Sequence, residues 1–316
     1  MIKISLIQPS RNNLKYLKWS YESIRKNQGD HEVQICIADD ASTDGTREWL
    51  EQRSVVDPFL AYIVNDSGDR VGHTILYDRL VNEVAIHDVC MIFHADMYLC
   101  PNALDAIQKH MYTEIPKDHD GVGYDTHEIP KCIVSLTRIE PPLHPDGPEK
   151  ILADYGTEPE SFKEDEFLEW FSNTGFDAHY NNGDTEGIFA PWAFWKSDFQ
   201  EIGGHDLLFA PQSKEDSDIF NRFQLNGVKF IQTWEGFVYH MTCRGSRRNT
   251  HDGAVNIQTD NPEWLEQNER SSRNFIRKWG HFVKHDSYMK PIIPPKYDIG
   301  FVVNKNRINF IFRPEE

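Results

Sequence analysis

Short apolar segments alternate with amphipathic helical segments over the first hundred residues, and this alternation constrains the fold more than any other feature. The apolar segments, which are predicted strands, are Ile2–Ile7, Val33–Ala38, Leu60–Val64 and Val89–Phe93. Apolar residues spaced three and four apart predict helices between and after them, at Leu14, Leu17, Tyr21 and Ile24, at Leu76, Leu80 and Val84, and after Pro101 at Leu104, Ile107 and Met111. Such an order packs as a mostly parallel sheet covered by helices, so the predicted fold class is α/β.

The second part of the chain has a different composition. Residues 112–184 are rich in proline, glycine and acids, and no linker separates them from their neighbours, so we predict an insertion over the same sheet. An aromatic run, a helix near 216–225 and strands at Val228–Ile231 and Phe237–His240 follow. We therefore divide the chain at 1–111, 112–250 and 251–316, and we predict a helical extension for the last segment.

Charge and cysteine content limit the partners and the location. The sequence has 33 Lys+Arg and 50 Asp+Glu, a net charge of −17, and an acidic surface repels the phosphates of nucleic acid, so no nucleic-acid partner is expected. No apolar run reaches the roughly 20 residues that span a bilayer, and Met1 leads directly into a strand, so neither a membrane span nor a signal peptide is expected. Five cysteines without a CxxC pair favour free thiols and a cytoplasmic location.

Acidic residues follow two of the predicted strands, at the sheet edge where ligands bind in such folds. Asp39 and Asp40 are either caps of the following helix or acceptors for a nucleotide base or ribose. Asp96 follows the fourth strand, where a carboxylate suits a hard divalent ion such as Mg²⁺ or Mn²⁺. Strand alternation predicts that His94 points the other way, as a core histidine or a support of the site.

Two further clusters lie in the second half of the chain. Glu215 and Asp216 open an amphipathic helix, where they either stabilise its dipole or offer a base for an incoming hydroxyl. His240 ends a predicted strand and can bind a metal ion through a neutral imidazole. Arg247 and Arg248 follow it, and they form either a site for an anion or a surface loop that pairs with neighbouring acids.

Taken in this order, the elements resemble the inverting nucleotide-sugar glycosyltransferases of family 2, which have the GT-A fold. The resemblance is carried by Asp39–Thr46 (DDASTDGT), Asp96 at the last position of a DxD element, Gly203–Asp206 (GGHD), the ED element Glu215-Asp216, Val238–His240 and Phe275–Gly280 (FIRKWG). It extends over about residues 2–280, apart from the segment near 112–184. His94 stands where the DxD element has its first carboxylate.

The resemblance implies a Rossmann-like, mostly parallel sheet in which residues 1–111 bind the nucleotide sugar and 112–250 bind the acceptor. It implies transfer of a sugar, with inversion, from a nucleotide diphosphate sugar (a UDP-sugar is favoured) to a hydroxyl of a saccharide or glycan. The implied nucleotide ligands are Pro9, Asp39, Asp40, Asp96, Arg247 and Arg248. The cofactor would be Mn²⁺ or Mg²⁺.

Roles in the chemistry follow from the same resemblance. Asp96 and His240 would hold the metal ion, and Asp216 would be the general base. Candidates on the acceptor side are Glu215, Trp192 and Trp195, although the two tryptophans fit a buried core as well as a sugar face.

Two rival classes of protein remain open. A sugar-phosphate nucleotidyltransferase shares the sheet and the metal, but its glycine-rich phosphate loop is absent between Ile7 and Asn13. A non-catalytic nucleotide- or sugar-binding protein on the GT-A fold is compatible with His94. Metal-dependent hydrolysis of a nucleotide sugar would distinguish the enzyme from this second class.

Overall fold

Strands from both halves of the chain form one nine-stranded sheet in the computed structural model. The structure describes residues 1–112, 131–174, 183–245, 247–248 and 259–294, and the backbone of 297–304 and 307–314. The strands of the sheet are β1 (Lys3–Ser10), β2 (Glu32–Asp39), β3 (Leu60–Val64), β4 (Val89–Ile92), β5 (Met97–Leu99), β6 (Cys132–Glu140), β7 (Lys150–Leu152), β8 (Trp192–Trp195) and β9 (Lys229–His240).

The strand order is β3-β2-β1-β4-β8-β6-β9-β5, with β7 paired to β6. β1 is parallel to β2 and β4, β2 to β3, and β6 to β9, whereas β8 is antiparallel to both of its neighbours. β1, β2, β4, β6 and β9 therefore run in one direction, and their carboxyl ends share one edge of the sheet. Side chains from distant parts of the sequence meet at this edge.

Helices cover the two faces of the sheet. They are α1 (Leu14–Asn27), α2 (Thr46–Val56), α3 (His73–Arg79), α4 (Ala103–Met111), α5 (Glu164–Asn173), α6 (Lys196–Glu201), α7 (Glu215–Leu225) and α8 (Pro262–Trp279). Alternation along β1 directs Ile4 and Leu6 into a core with α1 and α4, and Ile7 into a second core with α3 and α7. Among the helices of the described residues, none is long and apolar enough to cross a membrane.

The α/β prediction is confirmed, and the strands predicted in the first hundred residues match the observed ones to within three residues. The two strands predicted at Val228–Ile231 and Phe237–His240 are one continuous strand, β9, because the residues between them stay extended. All five cysteines are free thiols, as predicted.

Two segments of the chain contain elements that the sequence did not predict. The segment 112–184 contains β6, which is a strand of the central sheet and lies between β8 and β9. Eight of its nine residues are buried, so it lacks the alternation of polar and apolar residues that marks a half-exposed strand. The segment 251–316 contains the helix α8, but β10 (Tyr297–Asn304) and β11 (Arg307–Pro314) then pair as an antiparallel hairpin.

A buried carboxylate joins α7 to α8. Asp218 is fully buried and accepts hydrogen bonds from Arg222 Nε (2.8 Å) on its own helix and from Trp279 Nε1 (2.9 Å) on α8. Nζ of Lys278, also on α8, lies 2.7 Å from the same carboxylate. A buried charge needs such partners, so Asp218 is a structural residue that fixes the end of α8 against α7.

We predict that Asp218→Ala destabilises the fold strongly. The substitution leaves Lys278 and Trp279 without their shared acceptor, and the loss of one partner from a buried pair costs about 3–5 kcal/mol in the free energy of unfolding. Urea denaturation followed by circular dichroism measures this change. Glu235→Ala is the matched control, because Glu235 is half exposed, pairs with Lys109 at the surface, and should contribute about 1 kcal/mol or less. Equal losses in the two variants would contradict the structural role.

Candidate active site

A pocket of about 390 Å³ opens at the sheet edge where β1, β2, β4 and β9 end. The predicted site residues in its wall are Pro9, Asp40, Asp96, Glu215, Asp216, His240, Arg247 and Arg248. Asp39, Trp192 and Trp195 are not part of this wall. The fold therefore collects most of the predicted residues, from both halves of the chain, around one cavity.

Strand register brings the two predicted metal ligands together. β5 runs antiparallel to β9 with Met97 opposite His240, so the residue before Met97, Asp96, lies next to His240. The amide of Met241 donates to the carbonyl oxygen of Asp96 (3.0 Å) and holds the two chain segments in place. Nε2 of His240 is 3.4 Å from Oδ2 of Asp96.

His94 belongs to the same cluster, and the prediction that its ring faces away is wrong. β4 ends at Ile92, and the amide of Met97 donates to the carbonyl of His94, so a turn replaces strand alternation at this point. One ligand atom each from His94, Asp96 and His240 lies within 4.8 Å of the others. We call these three side chains the metal-ligand cluster.

Glu140 orients His240, one of the two histidines of the metal-ligand cluster. β6 is parallel to β9 with Ile139 opposite Tyr239, so Glu140 and His240 end their strands side by side. Nδ1 of His240 is 2.8 Å from Oε1 of Glu140, which leaves Nε2 directed at Asp96. Lys150 (3.1 Å) and Arg138 (3.4 Å) balance the buried carboxylate of Glu140. A carboxylate behind a ligating histidine is the usual support of a metal site.

The electrostatics of the cluster match this arrangement. Burial disfavours a charged His240, but the carboxylates of Asp96 and Glu140 outweigh it and raise the pKa of His240 to about 9. Burial also opposes ionisation of Asp96, and His240 outweighs that effect, so the pKa of Asp96 is lowered. Burial lowers the pKa of His94 to about 4 against the opposing pull of Asp96, and its imidazole is therefore neutral at neutral pH.

These donors fit a divalent ion. With bonds of about 2.1 Å, neighbouring ligand atoms of a tetrahedral or octahedral ion are roughly 3.0–3.4 Å apart. The 3.4 Å between Asp96 and His240 meets this requirement, and the ligand atom of His94 lies within 4.8 Å of both. The imidazoles of His94 and His240 and the carboxylate of Asp96 would hold the ion.

The acidic pair at the end of β2 splits into two roles. Asp40 is in the pocket wall, and its carboxylate accepts hydrogen bonds from Asn65 Nδ2 (2.8 Å) and from the amides of Val71 and Gly72 (both 2.9 Å). Gly72 has a φ of +87° and touches Pro211 where a side chain would stand, so only glycine fits there. Asp40 is thus first an anchor for the loop over residues 65–72.

Asp39 lies behind the pocket. Oδ1 of Asp39 accepts a hydrogen bond from the amide of Ser42 (3.1 Å), which stabilises the turn before α2 and does not cap the helix, since α2 begins at Thr46. Burial raises the pKa of this carboxyl. Its place outside the wall gives it no direct contact with the space that a ligand would occupy.

Glu215 and Asp216 are adjacent in sequence but differ in surroundings. Oε1 of Glu215 is 2.6 Å from Nε2 of His73, and this imidazole outweighs the effect of burial and lowers the pKa of Glu215. Asp216 opens into the pocket, where the surrounding walls, and then the charge of Glu215, raise its pKa. Glu215 is therefore held in place, and Asp216 has the accessible carboxylate with the higher proton affinity.

Arginines supply positive charge to the wall of the pocket. Arg247 pairs with Asp260 through Nε (2.7 Å) and Nη2 (3.1 Å), and Arg248 Nη1 lies 3.1 Å from the same carboxylate. Arg247 and Arg248 thus line the pocket, as a site for an anion requires. They also pair with a neighbouring acid, which is what the alternative of a surface loop predicted. Arg11 and Arg70, which the sequence analysis missed, also line it, and Nη1 of Arg11 is buried with no hydrogen-bond partner among the described residues.

The two tryptophans predicted on the acceptor side are core residues. Trp192 and Trp195 form β8, are 1% and 6% exposed, and pack in the two cores of the sheet, so neither can stack on a sugar. Trp264 at the start of α8 is the indole that lines the pocket, and the guanidinium of Arg247 lies 4.8 Å from its ring centroid.

Sequence reasoning missed several residues that lie at the ends of strands and loops. Glu140 closes a strand hidden in the proline- and glycine-rich segment, and His73 follows the loop that Asp40 anchors. Arg11 directly follows β1, so a search of the residues after every strand would have found it. Glu140 would have followed from the apolar run Cys132–Ile139.

Several solved structures are similar to this chain in fold. GalNAc-T7 crystallised with UDP, GalNAc and Mn²⁺ matches 75% of this chain and 43% of its own length at 12% identity and a TM-score of 0.52. The mannosyltransferase PcManGT from Pyrobaculum calidifontis, in complex with GDP-Man and Mn²⁺, matches 76% of this chain and 56% of its own (15% identity, TM-score 0.48). S. aureus TarS 1–349 matches 73% and 60% (13% identity, TM-score 0.45). The sheet has the GT-A architecture that the sequence predicted.

The family follows from the sequence match. The model of glycosyl transferase family 2 matches residues 5–182, which is more than half of the chain, and the chain belongs to this family. Glu215, Asp216 and His240 lie beyond the matched residues. The chain spans about half the length of the solved structures that it matches. No curated protein matches it.

We predict that Asp40→Ala releases the loop over residues 65–72. The substitution removes the acceptor of the Val71 and Gly72 amides, and a lost buried hydrogen bond of about 1–3 kcal/mol corresponds to roughly ten- to hundredfold faster hydrogen exchange. Exchange of these two amides, followed by mass spectrometry or NMR, measures the effect. Asp39→Ala is the control, because it should expose the amide of Ser42 and leave Val71 and Gly72 protected. Unchanged exchange at Val71 and Gly72 in Asp40→Ala would show that the carboxylate does not hold this loop.

Proposed function

We propose that this chain is a metal-dependent glycosyltransferase that moves a sugar from a nucleotide diphosphate sugar to an acceptor hydroxyl. The observation that carries the proposal is the convergence of Asp96, His240 and Asp216 on one pocket in a family 2 chain. A UDP-sugar is the favoured donor, on the sequence resemblance. The proposal includes inversion at the anomeric carbon. A single base lets the acceptor oxygen displace the nucleotide diphosphate directly, without a carboxylate that first attacks the sugar.

The donor would occupy the part of the pocket between the metal-ligand cluster and the arginines. A Mn²⁺ or Mg²⁺ ion held by His94, Asp96 and His240 would neutralise the negative charge of the diphosphate leaving group. Arg11 and Arg70 offer further positive charge on an otherwise acidic protein, and Arg11 does so with a buried donor atom. A guanidinium aimed at the ligand stabilises charge that develops on the leaving phosphate.

The proposed general base is Asp216. Its carboxylate opens into the pocket, and its raised pKa strengthens its hold on a proton from the acceptor hydroxyl. Glu215 is fixed by His73, so its role is to raise the proton affinity of Asp216 by its charge. Asp218 is excluded as the base because three donors already occupy its carboxylate.

The acceptor, a saccharide or glycan in this proposal, would approach from the side of residues 141–160. This segment reaches the pocket through His144, which lies 3.3 Å from Cys243, and it holds Arg244 through the carbonyl of Thr157 (2.6 and 2.9 Å). Trp264 is the aromatic surface available to a sugar in the wall. A cytoplasmic location stays a prediction from the free cysteines.

Nucleotide binding tests the donor side. We expect UDP to raise the melting temperature only when Mn²⁺ is present, because the ion would neutralise the charge of the diphosphate. A ligand at a hundredfold excess over its Kd adds about 2.7 kcal/mol to the free energy of unfolding, which is a shift of several degrees. Asp96→Ala should remove the Mn²⁺-dependent shift, and the control Asp66→Ala, at an exposed pair with Arg47, should keep it. A shift by GDP or dTDP and none by UDP would contradict the choice of donor. Absence of any metal-dependent nucleotide shift would contradict the proposed function.

Turnover tests the base. In an assay of UDP release from UDP-sugars with simple saccharides as acceptors, Asp216→Asn should lower the rate by about 10²–10⁴ while donor binding stays unchanged, because the amide cannot accept the proton. Glu215→Gln is the comparison variant and should cost less, since it keeps the Asp216 carboxylate. Near wild-type turnover by Asp216→Asn would rule this residue out. Wild-type protein that binds UDP and never turns over would support the non-catalytic alternative.

A further inference from the structure

Cys243 differs from the other cysteines of the chain in burial and in neighbours. Cys36, Cys90, Cys100 and Cys132 are buried, and burial raises the pKa of each of these thiols. A buried thiol of this kind stays protonated and unreactive. Cys243 is partly exposed and lines the pocket, so it is the thiol placed to meet a small molecule that enters there.

We infer that Cys243 is a modification site, at which His144 activates the thiol toward small hydroperoxides such as hydrogen peroxide. The sulfur of Cys243 lies 3.3 Å from Nε2 of His144, so the thiol can donate an S–H···N hydrogen bond to the imidazole. His144 belongs to the segment between β6 and β7, and Cys243 to the loop after β9, so the fold of the pocket creates the pair. The inference rests on the proposed function only for its consequence, a loss of nucleotide binding.

The loop after β9 fixes the position of the thiol. Thr242 and Cys243 have φ angles of +52° and +55°, in the left-handed region that a β-branched threonine rarely adopts. The next residue, Arg244, is buried, and its guanidinium donates to the carbonyl oxygen of Thr157 (2.6 and 2.9 Å). Buried neighbours on both sides therefore hold the sulfur beside His144.

The charges around the pair favour a thiolate. The hydrogen bond to Asp260 raises the pKa of Arg247, and the charge of a Cys243 thiolate raises it further. The same attraction stabilises the thiolate, as cationic neighbours do at reactive cysteines. Burial lowers the pKa of His144 against the opposing pull of Glu140, so the imidazole is neutral at neutral pH and can accept the thiol proton.

The reaction balances with hydrogen peroxide as the oxidant. The thiol proton moves to Nε2 of His144, and the sulfur attacks one peroxide oxygen while the O–O bond breaks. The other oxygen leaves as hydroxide and takes the proton from the imidazolium, which releases water. The sulfur is oxidised by two electrons to a sulfenic acid, and the peroxide is reduced.

The product would change the wall that we propose for the diphosphate. A sulfenate at Cys243 would pair with Arg247, which also lines the pocket. The guanidinium would then be less available to a phosphate group of the nucleotide. Peroxide should therefore weaken metal-dependent nucleotide binding, and a thiol reductant should restore it, because a sulfenic acid is reducible.

Peroxide labelling of the full chain tests the site without any nucleotide. Sulfenic acids are captured with dimedone and quantified at each cysteine by mass spectrometry. We expect capture at Cys243 at least about tenfold faster than at the buried cysteines. His144→Gln should slow capture at Cys243 about fivefold or more, because it removes the acceptor of the thiol proton. His285→Gln is the control, since His285 is exposed and outside the pocket wall, and it should leave the rate unchanged.

The labelling rates decide the inference. Capture at Cys243 no faster than at the buried cysteines would overturn it, and so would a wild-type rate in His144→Gln. His144→Asn replaces His144→Gln if circular dichroism shows that the latter does not fold, and the same slowing is expected.

The UDP shift tests the consequence. Wild type is treated with peroxide, the peroxide is removed with catalase, and Mn²⁺ and UDP are then added. The shift in melting temperature should fall and should return after dithiothreitol, whereas Cys243→Ser should show the same shift before and after treatment. A full shift in treated wild type would contradict the consequence. If untreated wild type shows no shift, the proposed function fails, and the labelling rates still decide whether Cys243 is the modification site.

Discussion

The buried chain Asp96–His240–Glu140 is the interaction on which the rest of the site depends. It exists because β9 pairs with β5 on one side and with β6 on the other, so that Asp96, just before β5, and Glu140, at the end of β6, lie beside the same histidine. Two buried carboxylates without partners would destabilise the fold. His240 lies between them, and Arg138 and Lys150 complete the balance around Glu140. Strand register thus decides both the stability of this edge and the direction of the imidazole.

Buried hydrogen bonds of the same kind hold the other walls of the pocket. Asp40 fixes the loop that leads into α3, His73 fixes Glu215 at the start of α7, and Asp218 fixes the far end of α8. Both oxygens of Asp40 and of Asp218 are engaged in these contacts, and Glu215 is engaged through Oε1. Asp96 and Asp216 differ from them because their oxygens remain directed into the pocket. The division separates acids that build the site from acids that are available for a ligand or a proton.

The sequence predicted the parts of this arrangement that depend on local pattern. Apolar runs identify the first four strands, and the rule that ligands bind at carboxyl ends leads to Asp96 and His240. Asp216 is identified instead at the start of an amphipathic helix. The pairing of distant strands cannot be predicted from local pattern, and the wrong or missing predictions depend on that pairing. His94 was assigned to the wrong side because a turn ends β4, Trp192 and Trp195 are core because β8 is central, and Glu140 was missed because β6 is buried on both faces. The roles of Asp39 and Asp40 in holding a turn and a loop likewise depend on which amides the fold brings near them.

Anomalous diffraction from crystals soaked in Mn²⁺ tests the central claim most directly, namely that the sheet edge brings together ligands for one ion. Data collected at the manganese absorption edge identify the ion without any assumption about activity. The account predicts an anomalous peak bonded to one atom each of His94, Asp96 and His240, at about 2.1–2.3 Å. An ordered pocket with no peak at this cluster, or a peak bound instead to Glu215 and Asp216, would contradict it.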